Sequence, residues 1–130
     1  MTTQPEMHLE LVPIPVSDVD RAKAWYVDKA GFNLDFDINP TESMRIVQLT
    51  PPGSHCSIVI GTGMAGISDG VPGSVKGLHL VVKNIEEARE AMVERGVEIG
   101  EVSDMGGVKY AWFNDPDGTL WGLQEIPPRS

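Results

Sequence analysis

The sequence predicts an α+β domain: two tandem βαβββ modules forming a curled mixed sheet around a shared cleft. Three observations predict it. Residues 16–26 recur as residues 82–92 at a constant offset of 66, so that Asp18 meets Asn84, Val19 meets Ile85, Ala22 meets Ala88 and Tyr26 meets Met92. The matches are of physical type more than of identity. Both copies place apolar residues at helical spacing, 19, 22, 26 and 85, 88, 92. Each copy is followed by three short strand-like runs divided by turn residues.

Taken in order, residues 9–16 read as a first strand, at an edge or only partly laddered because Pro13 and Pro15 interrupt it. A helix follows, with Ser17 and Asp20 as its capping box and Gly31 as its left-handed stop. Three strands are expected at 32–38, 44–50 and 56–60, separated by Asn39-Pro40 and Pro51-Pro52-Gly53. The second module repeats the plan. It has a strand at 78–82, a helix capped by Asn84 with Glu87 three residues on, a stop at Gly96, and strands at 97–102, 108–113 and 120–126. Gly106-Gly107 and Asp115-Pro116-Asp117-Gly118 supply the turns, the second being a sharp hairpin-type signal. The whole chain, 1–130, reads as one domain: module one about 8–61, a connector 61–77, and module two about 77–126. The connector carries six glycines and reads as a mobile linker or a loop over the pocket. It lacks the Lys-Ser/Thr pair of a phosphate-cradling loop. Two four-stranded sheets, each covered by one helix and placed edge to edge, leave a concave face suited to a small ligand.

Composition narrows the function. A chain of 130 residues, 41% hydrophobic, buries a sufficient core without staples. Cys56 is the only cysteine, which excludes an intramolecular disulfide and suits a reducing compartment. The first six residues have no basic n-region or apolar h-region, and no apolar run reaches membrane-spanning length. The expectation is a cytoplasmic protein. A net charge of −9 repels phosphate backbones and anionic lipid, so neither nucleic acid nor membrane is an expected partner.

Three stretches carry a family resemblance: Val16-Ser17-Asp18 through Trp25-Tyr26, Gly77-Leu78-His79-Leu80-Val81-Val82 through Gly96-Val97, and Phe113-Asn114-Asp115-Pro116-Asp117-Gly118-Thr119-Leu120-Trp121. Together they resemble the vicinal oxygen chelate superfamily, which includes glyoxalase I, extradiol dioxygenases, fosfomycin-resistance enzymes and bleomycin-resistance proteins. The resemblance spans about residues 9–126 and implies the paired-module fold. It also implies four metal-ligand positions, which fall here on Leu11, Val59, Gly77 and Gly122. None of these side chains can ligate a divalent ion. His79 and Gln124, each two residues beyond such a position, are the nearest donors. An irregular site built from them with His8 or His55, holding Fe, Zn, Ni or Mn, is the alternative to the expectation of no cofactor.

Strand alternation aims Pro13, Ser57, His79 and Gln124 to the same side as the four vacated positions. Gly77 and Gly122 leave room there, or merely relax a twisted strand. The expected ligand-binding set is Ser57, Gly77, His79, Trp112, Gly122 and Gln124. His79 is the candidate acid–base group, because imidazole titrates near neutrality; the alternative is a core histidine satisfied by a carbonyl. Tyr110 and Trp112 share a strand face, and flat apolar walls suit an aromatic or drug-like small molecule. Tyr26 reads as structural, His8 and His55 as exposed, Cys56 as unactivated, and Glu125 as outward-facing. The expected function is metal-free small-molecule binding of the sequestration or resistance type, in a homodimer as in the bleomycin-resistance branch. The alternative is a lyase, isomerase or dioxygenase working through an irregular metal site or through His79.

Overall fold

The computed structural model describes residues 3–128; of the opening stretch read above, residues 1 and 2 lie outside it, as do 129 and 130 at the other end. The elements run β1 Leu11–Pro13, α1 Val19–Asp28, β2 Asn33–Thr41, β3 Met44–Thr50, β4 Ser57–Thr62, β5 Leu78–Val81, α2 Ile85–Glu94, β6 Ser103–Met105, β7 Val108–Asn114 and β8 Leu120–Glu125. This is the expected α+β plan, βαβββ twice. The strands form two four-stranded sheets, ordered β1-β4-β3-β2 and β5-β8-β7-β6. In both, the first strand lies parallel to the last and the remaining pairs are antiparallel. The prolines act as expected: β1 is three residues long and sits at an edge.

The helices begin where polar caps satisfy free N–H groups. Asp18 accepts from Arg21 N at 3.0 Å, and Asn84 accepts from Glu87 N at 3.0 Å. The first cap is therefore Asp18 and not Ser17. Ser17 is drawn away: its N–H donates to Asp117 at 3.1 Å and its hydroxyl donates to the same carboxylate at 2.5 Å. Gly31 and Gly96 follow the helices at φ 81° and 92°, as their stop roles require.

The expected strand at 97–102 is displaced to Ser103–Met105. Val97 is buried and Ile99 packs on the core, so their apolar character reflects burial and not laddering. Only an isolated bridge, Ile99 to Phe113, marks that stretch. The tight Gly106-Gly107 turn sets pairing in the residues that flank it, Met105 opposite Val108.

The two sheets share no hydrogen-bonded edge. The modules join instead through one core holding Val19, Tyr26 and Phe32 of the first and Met92, Phe113 and Trp121 of the second. Tyr26 is the centre of the joint. Its hydroxyl donates to Asp115 at 2.6 Å and accepts from Trp121 Nε1 at 3.0 Å, with no side-chain exposure to solvent. Burial and the Asp115 carboxylate push the phenol well above its ordinary range, so it stays protonated. Asp115 also accepts from the backbone N–H groups of Asp117 and Thr119, both at 2.9 Å. The Asp-Pro-Asp-Gly segment is therefore both a turn and a lock on α1.

The Gly-rich connector is anchored at a few points, with Ile67 and Val71 between them exposed at 44% and 72%. Gly61 is buried against Arg45, Met64 is 8% exposed, and a side chain at Gly73 would collide with the Asp117 carbonyl. It does not line the cleft between the modules.

Candidate functional site: an aromatic face in the second sheet

Each sheet has one side on the shared core and one side turned from it. In the second sheet Ala111, Phe113, Trp121 and Leu123 point to the core. Alternation therefore puts His79, Tyr110, Trp112, Gly122 and Gln124 on the open side. Register brings these residues into rows. His79 and Trp112 both oppose Gly122, and Tyr110 opposes Gln124.

The absence of a side chain at Gly122 shapes the face. The six-membered ring of Trp112 lies directly over it, and a Cβ there would sit 2.6 Å from Trp112 Cζ3. The ring thus reaches across the sheet to meet His79 edge-on, with centroids 5.4 Å apart. Tyr110 lies parallel to Trp112, with 5.7 Å between centroids and 8° between planes. Gln124 donates to the Tyr110 hydroxyl at 3.3 Å. The result is a continuous aromatic surface on which Trp112 is 38% exposed.

His79 is exposed on this surface, not buried in the interior. Its Nδ1 donates to the Gly77 carbonyl at 2.6 Å, which fixes the tautomer and leaves Nε2 as a hydrogen-bond acceptor. Among the described residues no carboxylate pairs with it; its ring neighbours are Tyr110 and Trp112. Gly77 holds φ at 85°, a conformation that a side chain disfavours, and the space beside its Cα is open.

The strands of this sheet carry two acidic residues, Asp104 and Glu125, and both belong to the helix-covered side, in register with Lys109. Glu125 alternates away from Gln124 as expected, but it does not face solvent freely: its carboxylate accepts from Ile85 N at 2.9 Å, at the start of α2. The strands of this sheet consequently put no carboxylate on the aromatic face, in a chain of net charge −9.

Ser57 stands apart from the rest of the expected set, on the open side of the first sheet. It is 6% exposed, with its hydroxyl 2.6 Å from that of Thr50. Thr50 in turn donates to Asp35, and Gln48 donates to Asp35 at 3.3 Å. Asp35 reaches this side because a register shift between Leu34 and Phe36 re-aims it, which strand alternation alone does not reveal. Around these polar groups the surface is apolar, with Phe36 and Ile38 exposed at 38% and 46%.

The register also tests the metal positions. Pro13 opposes Val59, and His79, 66 residues after Pro13, opposes Gly122. Val59 and Gly122 are therefore equivalent, as are Leu11 and Gly77. None supplies a donor, and among the described residues no three His, Cys, Asp or Glu side chains gather as ligands would. Over Gly122 the space belongs to Trp112. The residues present do not fit the metal that the fold implies. His8 and His55 are both exposed and do not join His79; the side-chain partner of His8 is Glu6, at 3.3 Å. Cys56 is half-buried, its thiol 3.6 Å from the Ser57 carbonyl.

A concavity of about 540 Å³ lies at the joint of the modules, between α2, β5 and the 51–54 turn of module one. Of the expected site residues it includes only His79. No helix of the described residues is long and apolar enough to cross a membrane.

Known proteins share this architecture. The chain matches an antibiotic-binding protein, TnmS3 from Streptomyces sp. CB03234, at 31% identity and a TM-score of 0.82, covering 96% of this chain and 100% of that one. A glyoxalase/bleomycin resistance protein from the same Streptomyces matches at 33% identity and a TM-score of 0.74, over 89% of this chain and 98% of that one. A superfamily member from Sphaerobacter thermophilus DSM 20745 matches at 31% identity and a TM-score of 0.77, over 92% and 98%. No functionally curated protein matches the sequence. The family profile itself matches residues 8–123, and the chain belongs to the Glyoxalase/Bleomycin resistance protein/Dioxygenase superfamily.

Proposed function

We propose that this protein binds a flat, largely apolar organic molecule, without a metal and without converting it, in the manner of a sequestration or resistance protein. The observation that carries this reading is the Trp112 ring lying over Gly122, at a position where the superfamily places a metal ligand. A carboxylate-free face of Trp112, Tyr110 and His79 offers stacking area and little else; stacking on such rings contributes about 0.5–1.5 kcal/mol beyond area burial. His79 Nε2 adds one acceptor for a ligand hydroxyl or N–H. The similarity to an antibiotic-binding protein supports the same reading.

The working unit is a homodimer. Both open faces keep large apolar groups in solvent, Phe36 and Ile38 on one, Val81, Met105 and Trp112 on the other. Such patches mark association surfaces. A two-fold pair would set the polar Asp35–Ser57 group of one copy against the aromatic face of its partner, enclosing the ligand. The protein acts inside the cytoplasm, where its single free thiol is compatible with a reducing environment.

Equilibrium dialysis against a panel of planar metabolites, with mass analysis of the recovered ligand, tests the proposal. The expected result is retention at micromolar strength of an unchanged molecule. Turnover with no retained ligand would instead favour catalysis through His79, for which the free Nε2 is the supporting observation.

A further inference from the structure

We propose that the cleft at the joint of the modules is a second binding site, sharing only His79 with the Trp112 face, and that it takes an apolar monoanion such as a medium-chain carboxylate. Its volume of about 540 Å³ lies within the range of small-molecule sites. Ala88, Ala91 and Met92 of α2 form one wall, Leu80 and Val82 another, and Phe32 faces them from module one. The two alanines are the reason for the hollow: larger residues on that side of α2 would fill it. The turn at 51–54 closes one end, held by Ser54 N donating to Pro51 O at 2.9 Å.

Charge selects the ligand class. Acidic residues outnumber basic ones 19 to 10 in this chain, yet among the described residues none lines the cleft, and Arg95 is the one permanent charge there. Arg95 donates through Nε to the Lys29 carbonyl at 2.8 Å and through Nη2 to that of Ala30 at 3.4 Å. These bonds steady the guanidinium against the end of α1. Among the described residues no carboxylate pairs with it, and Nη1 has no protein partner. A steadied guanidinium with unspent N–H groups at an apolar hollow is complementary to a carboxylate bearing a hydrocarbon body. Because both modules build the walls, such a ligand binds only the docked chain and stabilises the joint by mass action.

Decanoate is the probe, with decanol as its uncharged counterpart. Calorimetric titration of the whole protein should show one decanoate per chain, with decanol weaker by about tenfold, the loss of one charge-assisted contact. In wild-type protein the Ala88 and Ala91 methyl resonances should shift on titration. Ala91→Trp, which fills the hollow, should abolish binding, Arg95→Gln should reduce decanoate to the level of decanol, and Trp112→Ala should leave decanoate binding unchanged. The proposal is overturned if decanoate gives no saturable heat, if decanol binds as tightly, or if the two alanine methyls stay unmoved. Should Ala91→Trp fail to fold, the wild-type methyl shifts decide alone. Retention of decanoate by Trp112→Ala separates this site from the aromatic face, whose failure would leave it standing.

Discussion

Gly122 decides what the open face of the second sheet can be. With hydrogen in place of a side chain, Trp112 lies flat across β8 and reaches His79; with any Cβ, the ring must move, because the contact would be 2.6 Å. Gly122→Ala is therefore expected to displace Trp112, shift its fluorescence, and weaken binding of a planar ligand by about tenfold, one stacking contact of roughly 1.4 kcal/mol. Tyr26 decides the joint in the same single-residue way. Tyr26→Phe keeps the ring but leaves Asp115 Oδ2 and Trp121 Nε1 short of a buried partner. Urea unfolding should show a loss of about 1–3 kcal/mol. At this scale the sequence was informative where the repeat gave a reference. The superfamily resemblance implied the metal positions, the repeat made 11 and 77 equivalent among them, and period-two spacing paired Tyr110 with Trp112. For His79 a carbonyl partner was one of the two readings, and Gly77 supplies it at 2.6 Å; its exposed place on the sheet was not legible, because alternation does not say which side of a half-covered sheet meets solvent. Asp35 was hidden by a bulge that nothing in local composition announces.

Among the elements, α1 is tied to its sheet by charge as well as by apolar burial. Lys23 of α1 and Arg45 of β3 both hold Asp37 at 2.8 Å, and Arg45 also reaches Asp20 at 2.7 Å. The two cations hold the Asp37 carboxyl well below the usual carboxylate range, against a smaller opposing effect of burial. A depressed folded value means that the unfolded chain takes up the proton first. The stabilisation is complete above the ordinary value of 3.8 and fades as pH falls from there towards the lower folded value. Asp37→Asn is thus expected to cost about 1–2 kcal/mol at neutral pH and to flatten the loss of stability below about pH 4, measured by denaturant unfolding across pH. Helix positions were legible because spacing and caps agree, though Asp18 took the capping role expected of Ser17. The strand expected at 97–102 shows the limit of pattern reading. Val97 and Ile99 are apolar because they pack on the core, and burial without laddering looks the same in a sequence as burial with it.

At the scale of the molecule, the modules join through their helix-covered sides around Tyr26 and Asp115, and each keeps an open sheet face. This arrangement gives the chain a cleft at the joint, complete within one copy, and two open sheet faces, one aromatic and one partly polar, which the proposed dimer would bring together. The repeat made the two modules plain from sequence alone. It did not say which sides would meet, since both sides of a half-covered sheet carry apolar residues. In the proposed function the aromatic face takes the place of the metal as the basis of ligand binding. This is tested most directly by the dissociation constant of one planar ligand, measured for chelator-treated wild type and for Trp112→Ala. Chelator should leave the constant unchanged, while Trp112→Ala should raise it about tenfold or more. Loss of binding on chelation, with Trp112→Ala binding as well as wild type, would contradict it.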